Sequence, residues 1–350
     1  TPYTYLMKTY LNQAYSWLCD KRSHHSAHSD CWRLRFNWHH IKEALVATLD
    51  SGDYQFSPLQ KYRFPDETIS LYSSQDSLVL KMMSLALGHQ IAEGRLISPQ
   101  CYHIKNHGGL KQAVRDTQVA LGDYKYVFKS DIKGYYASID HEKLCHELEM
   151  LTRNKHLTTL VHRSLKAPST WGGLYYDRVK GIPRGSPLSP LLGAIALNQL
   201  DQAMGNIKNV FYARYMDDWV VLCKTRYQLR KVIKRTHQVL NKLKLKLHPD
   251  KTYLGKIEKG FDFLGYHFKP KHFSVAKATF ERALAKLRRL YEQGASKKRL
   301  AQYWRRFLQW LGAGVLDLIG ESYRTFGCLK EGRKIHVPGG SQGSQPHNLL

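Results

Sequence analysis

The segment Val210–Cys223, VFYARYMDDWVVLC, constrains the fold more than any other stretch of the chain. Two runs rich in β-branched and aromatic residues, FYARY and WVVLC, flank Met216, Asp217 and Asp218, the pattern of a β-hairpin with a short turn. Adjacent carboxylates repel each other. Alone, such a pair is commonest on a solvated turn. Here a third carboxylate ends an apolar and aromatic run, YKYVFKSDI (Tyr124–Ile132), which is predicted to be a strand and places Asp131 86 residues before Asp217. Three carboxylates on two β segments make a hard oxygen site suited to Mg²⁺. Two such ions about 3.5–4 Å apart clamp the attacking and leaving oxygens of an in-line phosphoryl displacement.

Composition narrows the substrate. The 350 residues carry 54 Lys and Arg against 28 Asp and Glu, a net charge of +26. That excess favours a polyanionic partner, nucleic acid before an anionic membrane. No uncharged apolar run approaches the roughly 18 residues needed to span a bilayer, so no membrane partner is expected. No short apolar stretch follows basic residues at the start, so no secretory signal is expected either. With 43% hydrophobic and 23% charged residues, wholesale disorder is ruled out. The six cysteines are scattered without a CxxC pair, which argues against a zinc ribbon and fits free thiols in a reducing cytoplasm. His24, His25, His28 and Cys31 form the one dense ligand-like cluster, but at no standard zinc spacing; a solvated polar loop is the preferred reading.

Further elements follow from periodicity and breakers. Helices are predicted from Ser77 to Gly88, where the glycine is a natural stop, and over 111–120, 141–152 and 226–247. FDFLGYHF (residues 261–268) reads as a short aromatic strand pair. Residues 277–313 read as two basic helices broken at Gly294, with nine Lys and Arg between Glu281 and Trp310.

Taken in order, five segments resemble the palm of reverse transcriptases, most closely the prokaryotic group II intron-like kind. They are DIKGYYASIDH, GIPRGSPLSPLLGAIALNQLD (Gly181–Asp201), YMDD, LKLKLHPDKTYLGKI and FDFLGYHF, and the resemblance covers roughly residues 60–270. It implies an α+β right-hand polymerase. The N-terminal extension would be 1–56 and the fingers 57–123. The palm, an antiparallel sheet plus helices, would be 124–276 with a fingers-side insertion around 150–185. A helical thumb would be 277–330 and a disordered tail 331–350.

The resemblance also implies roles. Asp131, Asp217 and Asp218 would be catalytic and hold two Mg²⁺, with Mn²⁺ as a substitute, joined by the backbone carbonyl of Ile132. Tyr136 falls at the steric gate that selects dNTPs. Tyr135 is its competitor, and in a strand the two would face opposite ways. Pro183, Arg184 and Gly185 lie on the nucleotide-contacting loop, where Gly181 and Pro187 suit a tight turn and Ser186 and Ser189 offer hydroxyls to template or nucleotide. The family usually has Gln where this chain has Arg184, which moves that contact toward a phosphate or a base face. Lys251 falls beside the triphosphate. Lys61 and Arg63, with Lys81 in second place, are the fingers candidates, although the family's usual basic stretch is missing there. Phe263, Leu264 and Gly265 would grip the primer terminus. Arg282, Lys286, Arg289, Lys298 and Arg305 would hold the duplex backbone.

The expected activity is RNA-directed DNA synthesis: a primer 3′-OH attacks the α-phosphate of a dNTP on an RNA template and pyrophosphate leaves. A dedicated noncoding RNA is a candidate partner, and oligomeric state is left open. An RNA-dependent RNA polymerase shares the palm, but Tyr136 speaks against it. A maturase-like RNA-binding scaffold explains the charge but not the intact carboxylate triad. The short polar tail leaves no room for an endonuclease module, so a stand-alone, host-encoded enzyme is expected, with antiphage defence as its candidate role. Retron and diversity-generating types are further readings; Pro190 after Ser189 counts against the latter.

Overall fold

The computed structural model describes residues 9–63 and 68–319. The chain divides into two units, residues 1–109 with 126–254 and residues 110–125 with 255–350. Pro65, Cys328 and the tail expected over 331–350 lie outside the described residues.

The strands of the first unit are, in chain order, β1 (Leu59–Arg63), β2 (Thr68–Leu71), β3 (Tyr126–Ser130), β4 (Ser169–Trp171), β5 (Leu174–Tyr176), β6 (Val210–Tyr215) and β7 (Asp218–Cys223); β8 (Tyr253–Lys256) leads out of it. They form two four-stranded sheets, ordered β2-β1-β4-β5 and β6-β7-β3-β8. In the second, β7 is antiparallel to both β6 and β3. Trp219 through Cys223 are all buried, as a continuous apolar run on a strand covered on both faces requires. The amphipathic helix Arg226–Leu243 packs on β3 and β7 through Val232 and Leu240. The first sheet is mixed: β1 pairs antiparallel with β2 and parallel with β4.

Two predicted helices differ at their ends, for local reasons. The helix expected at Ser77–Gly88 runs from Ser74 to Gly94. Ser73 caps it, its hydroxyl accepting from the Asp76 N–H. Gly88 stays inside, because apolar residues continue to Ile91 and a mid-helix glycine costs only about 1 kcal/mol. The helix expected to reach 247 stops at Leu243, where Lys244 turns left-handed at φ 59°. The residues beyond it run extended beside the residues that follow β3, with Ile132 opposite Leu247.

The second unit holds an antiparallel meander of β9 (Phe261–Phe263), β10 (Tyr266–Lys269) and β11 (His272–Val275), one strand more than the predicted pair. Its core is aromatic: Phe261, Phe263, Tyr266, Phe268 and Phe273 are buried. The helices Lys277–Glu292 and Lys297–Gly312 follow, separated by a turn in which Gly294 has φ 77°. Ser296 caps the second of them by accepting from the Arg299 N–H. No helix among the described residues is long and apolar enough to cross a membrane.

Candidate active site

Strand register brings the three aspartates together. Tyr215 faces Asp218 across β6 and β7, so Met216 and Asp217 make the two-residue turn, and Met216 adopts φ 60°. Ser130 faces Trp219 across β3 and β7. Asp131 follows directly on Ser130 and Asp218 directly precedes Trp219, so both sit at the same end of that ladder. The Asp131 and Asp217 carboxyls lie within hydrogen-bonding reach of each other. Burial, reinforced by Asp131, pushes Asp217 up to about 6. Burial again, with Asp131 and Asp217 adding repulsion against the pull of Lys129, pushes Asp218 up to about 7. Asp218 Oδ1 is shielded from solvent and has no hydrogen-bond partner.

The extended stretch after Leu243 delivers Lys251. The His248 N–H donates to the Asp131 carbonyl at 2.8 Å and the Lys133 N–H to the Lys246 carbonyl at 2.9 Å. Ile132 occupies the position between these bonds, so this ladder leaves its carbonyl unused. Lys251 Nζ then reaches Asp131 Oδ2 at 2.5 Å. The lysine expected beside a triphosphate is therefore paired with the first carboxylate. Among the described residues, no three His, Cys, Asp or Glu side chains stand close enough together to hold a metal ion as they are. The donors nevertheless suit a hard divalent cation: all are oxygens, two carboxyls already face each other, and the shielded Asp218 Oδ1 lacks a partner.

Tyr136 borders this cluster. Tyr135–Ser138 is a helical turn rather than a strand, so the two tyrosines are not separated by strand alternation as expected. They diverge because Tyr135 is buried and donates to the Gly193 carbonyl at 2.5 Å, while Tyr136 remains partly exposed. Its hydroxyl lies 3.8 Å from Met216 Sδ. Burial, then Asp217, pushes its phenol up to about 12, with the Arg184 charge acting in the opposite direction. Gly193 makes room for this ring: a Cβ there would meet the Tyr136 hydroxyl at 3.3 Å. Gly181, at φ 84°, seals the loop against the same turn, since a Cβ would come within 3.0 Å of the Tyr136 and Ala137 carbonyls. Arg184 and Gly185 are exposed beside it. Pro183 is buried and its carbonyl accepts from the buried Ser189 hydroxyl at 2.6 Å. The Ser186 hydroxyl accepts from the Leu188 N–H at 3.3 Å. Ser189 thus spends its hydroxyl proton inside the loop, while Ser186 accepts there and keeps its own proton to donate.

Three residues that the sequence reading passed over hold the turn. The Met216 N–H donates to His103 Nδ1 at 3.0 Å, and His103 Nε2 donates to the Pro190 carbonyl at 3.1 Å. Burial pushes His103 down to about 4, keeping it in the neutral form that can accept. The Met216 carbonyl accepts from Arg214 Nη1 at 2.8 Å. Arg214 is completely buried and forks onto Asp201, with Nε to Oδ1 at 2.6 Å and Nη2 to Oδ2. The N–H and the carbonyl of Met216 are thus both held by side chains, the half-buried His103 and the fully buried Arg214. Arg214→Met should destabilise the fold by about 3–5 kcal/mol, the usual cost of leaving one partner of a buried ion pair uncompensated. Urea unfolding checks this, and pairing it with Asp201→Leu should recover part of the loss. A signal existed: an arginine inside an otherwise apolar strand demands a buried acid.

The remaining expected residues fall elsewhere. Lys61 lies on β1, in the other sheet, with its ammonium 5.3 Å from the Tyr176 ring centroid. Lys81 sits on the helix Ser74–Gly94, 5.3 Å from the Trp17 ring centroid. The side chain of Arg63 lies outside the described residues. In the second unit, Phe263 is fully buried, so its side chain supports the β9–β10 turn from beneath. Leu264 and Gly265 form that turn and, with Arg282 and Lys286, line one cavity. Arg289, Lys298 and Arg305 are exposed on the two helices.

Comparison with known proteins gives the same direction. Residues 60–268 match the family described as reverse transcriptase (RNA-dependent DNA polymerase). The chain is 24% identical over 265 residues to Protein YkfC of Escherichia coli (strain K12), covering 62% of this chain and 68% of that one. It is 30% identical over 105 residues to the group II intron-encoded protein LtrA of Lactococcus lactis subsp. cremoris, covering 30% of this chain and 17% of that one. Among solved structures, apo telomerase from Candida tropicalis, truncated from its C-terminal domain, shares the fold with a TM-score of 0.51 at 13% identity, over 63% of this chain and 55% of that one. The chain thus spans about two thirds of one relative and less than a fifth of the other.

Proposed function

The chain belongs to the reverse transcriptase (RNA-dependent DNA polymerase) family, and we propose that it extends a DNA primer with dNTPs on an RNA template. The observation that carries this reading is the convergence of Asp131, Asp217 and the unsatisfied Asp218 at one end of the β6-β7-β3 sheet, beside Tyr136. Two Mg²⁺ ions held by these carboxylates and the Ile132 carbonyl, with Mn²⁺ as a substitute, would supply Lewis-acid charge to the attacking and leaving oxygens. The protein's own part is positioning. His103 and Arg214 fix the turn that carries Asp217. Tyr136, backed by Gly193 and Met216, bounds the space under an incoming sugar. Arg184 offers a cation beside it, and Lys251, once released from Asp131, offers another. Lys61 and Arg63 are proposed as contacts to the triphosphate. The basic faces at Arg282, Lys286, Arg289, Lys298 and Arg305 are proposed to hold the duplex phosphates.

The test is extension of an oligo(dT) primer on poly(rA) with labelled dTTP. Mg²⁺-dependent product, abolished by EDTA, is expected; no product with either Mg²⁺ or Mn²⁺ would overturn the reading. The intron-encoded relative supports a second reading, an RNA-splicing cofactor, which predicts tight intron RNA binding without extension. A dedicated noncoding RNA and an antiphage role rest on the resemblance alone. Sequencing the nucleic acid that copurifies with the chain, and counting plaques with and without Asp217→Asn, test them.

A further inference from the structure

We propose that a cavity of about 400 Å³ in the second unit binds a single unpaired nucleotide, with its base on an aromatic wall and its phosphate on two cations. The proposal rests on the nucleic-acid reading above and gives this unit a ligand that a basic helix face alone would not select.

The wall is built from Tyr303, Phe307 and Trp310. Phe307 and Trp310 stack at 6.1 Å between centroids and 24° between planes. Trp310 also stacks on Tyr266, at 5.9 Å and 24°. Lys111 braces it from another side, its Nζ 4.3 Å from the indole centroid and 2.5 Å from the Trp310 carbonyl. The indole is therefore held in one orientation, yet it is 37% exposed. With Phe307, Tyr266 and Lys111 already against the indole, the rings left to a base are those of Phe307 and Tyr303, and base–aromatic stacking is worth about 1–3 kcal/mol.

The rim carries Arg282 and Lys286, one helical turn apart on the same exposed face. Arg282 Nε donates to the Ala278 carbonyl at 3.0 Å, which anchors the guanidinium. Lys286 stands 5.6 Å from the Tyr303 ring centroid. On the remaining wall, the Thr279 hydroxyl is shielded from solvent and has no hydrogen-bond partner, an uncommon condition for a buried polar group. Gly265, at φ 89°, keeps the mouth of the cavity open. A Cβ there would meet Trp310 at 3.2 Å and the Thr279 hydroxyl at 3.4 Å.

These features fit an unpaired nucleotide better than duplex. A base paired inside a duplex is stacked on both faces and offers no ring to the wall. Duplex phosphates need a basic surface but no concavity. The cavity's size lies at the lower end of the roughly 300–1,000 Å³ range of small-ligand pockets.

The test uses the full chain and two DNA duplexes carrying 2-aminopurine, either paired inside the duplex or as one unpaired 3′ nucleotide. The unpaired probe is expected to bind at least about fivefold more tightly, the lower end of base–aromatic stacking, with its fluorescence quenched. Phe307→Leu should lose both effects and Phe307→Tyr should keep them. Tyr303→Leu carries the same expectation if Phe307→Leu melts early. Equal affinity for the two probes, or quenching that survives both leucine variants, would overturn the pocket. A wild-type chain that binds neither probe would instead overturn the nucleic-acid reading itself.

Discussion

Asp217→Asn combined with Asp218→Asn should lower Mg²⁺-dependent primer extension by at least about 10³-fold and, at the same time, raise the melting temperature of the metal-free protein. The loss follows from removing several kcal/mol of charge stabilisation at the reacting oxygens, at tenfold per about 1.36 kcal/mol. The gain follows from the cost of keeping these carboxylates. Burial and mutual repulsion push Asp217 up to about 6 and Asp218 up to about 7. An amide of the same shape carries no charge to desolvate. The sign can be checked with pH. A carboxyl whose folded pKa is raised holds its proton more tightly in the fold. Its destabilising effect is therefore full above about 7 and is relieved as pH falls through the folded values toward the unfolded value of about 3.9. The melting-temperature difference between variant and wild type should be largest near pH 8 and shrink toward pH 5. A variant that is both inactive and less stable at pH 8 would show that the carboxylates hold the fold instead.

Tyr136→Ala should reduce discrimination against ribonucleotides by about 10- to 100-fold. The ring is fixed by Gly193 behind it and Met216 beside it, so it cannot swing away from an added 2′-hydroxyl. Forcing an extra group against a fixed wall costs about 1–3 kcal/mol, and removing the wall returns that amount. The ratio of kcat/KM for dTTP over UTP on the same poly(rA) template measures it. Tyr136→Phe should keep the ratio, because bulk rather than the hydroxyl is responsible. A ratio unchanged in Tyr136→Ala would move the selection to another residue.

The turn that carries Asp217 and Asp218 is legible in the sequence because a hairpin is local, whereas the pairing that brings the Asp131 strand beside it is long-range. A β-hairpin puts its turn residues at its tip whatever surrounds it, and a run such as YKYVFKSD pairs in a register that alternation fixes. The Arg184 departure was also visible, and the structure sets that charge beside Tyr136. What escaped depended on long-range packing. His103 belongs to a polar loop with many donors, and nothing local marks the one that meets Met216 from 113 residues away. Arg214 read as part of a strand, and only its complete burial with Asp201 shows what it does. The burial of Phe263 in the aromatic core of the meander was likewise not legible, because it depends on how β9, β10 and β11 pack. The separation of Tyr136 from Tyr135 was not legible as strand alternation, because Gly134 at φ 58° turns the chain into a short helix and the two rings diverge through burial instead.

The measurement closest to the central claim is manganese uptake followed by electron paramagnetic resonance, on the wild-type chain and on Asp131→Asn, Asp217→Asn and Asp218→Asn, each with primer–template and a non-hydrolysable dNTP analogue. The account predicts that the wild type sequesters about two Mn²⁺ per chain and that every single variant binds fewer or binds them more weakly. Equal uptake by the wild type and by all three variants would contradict it.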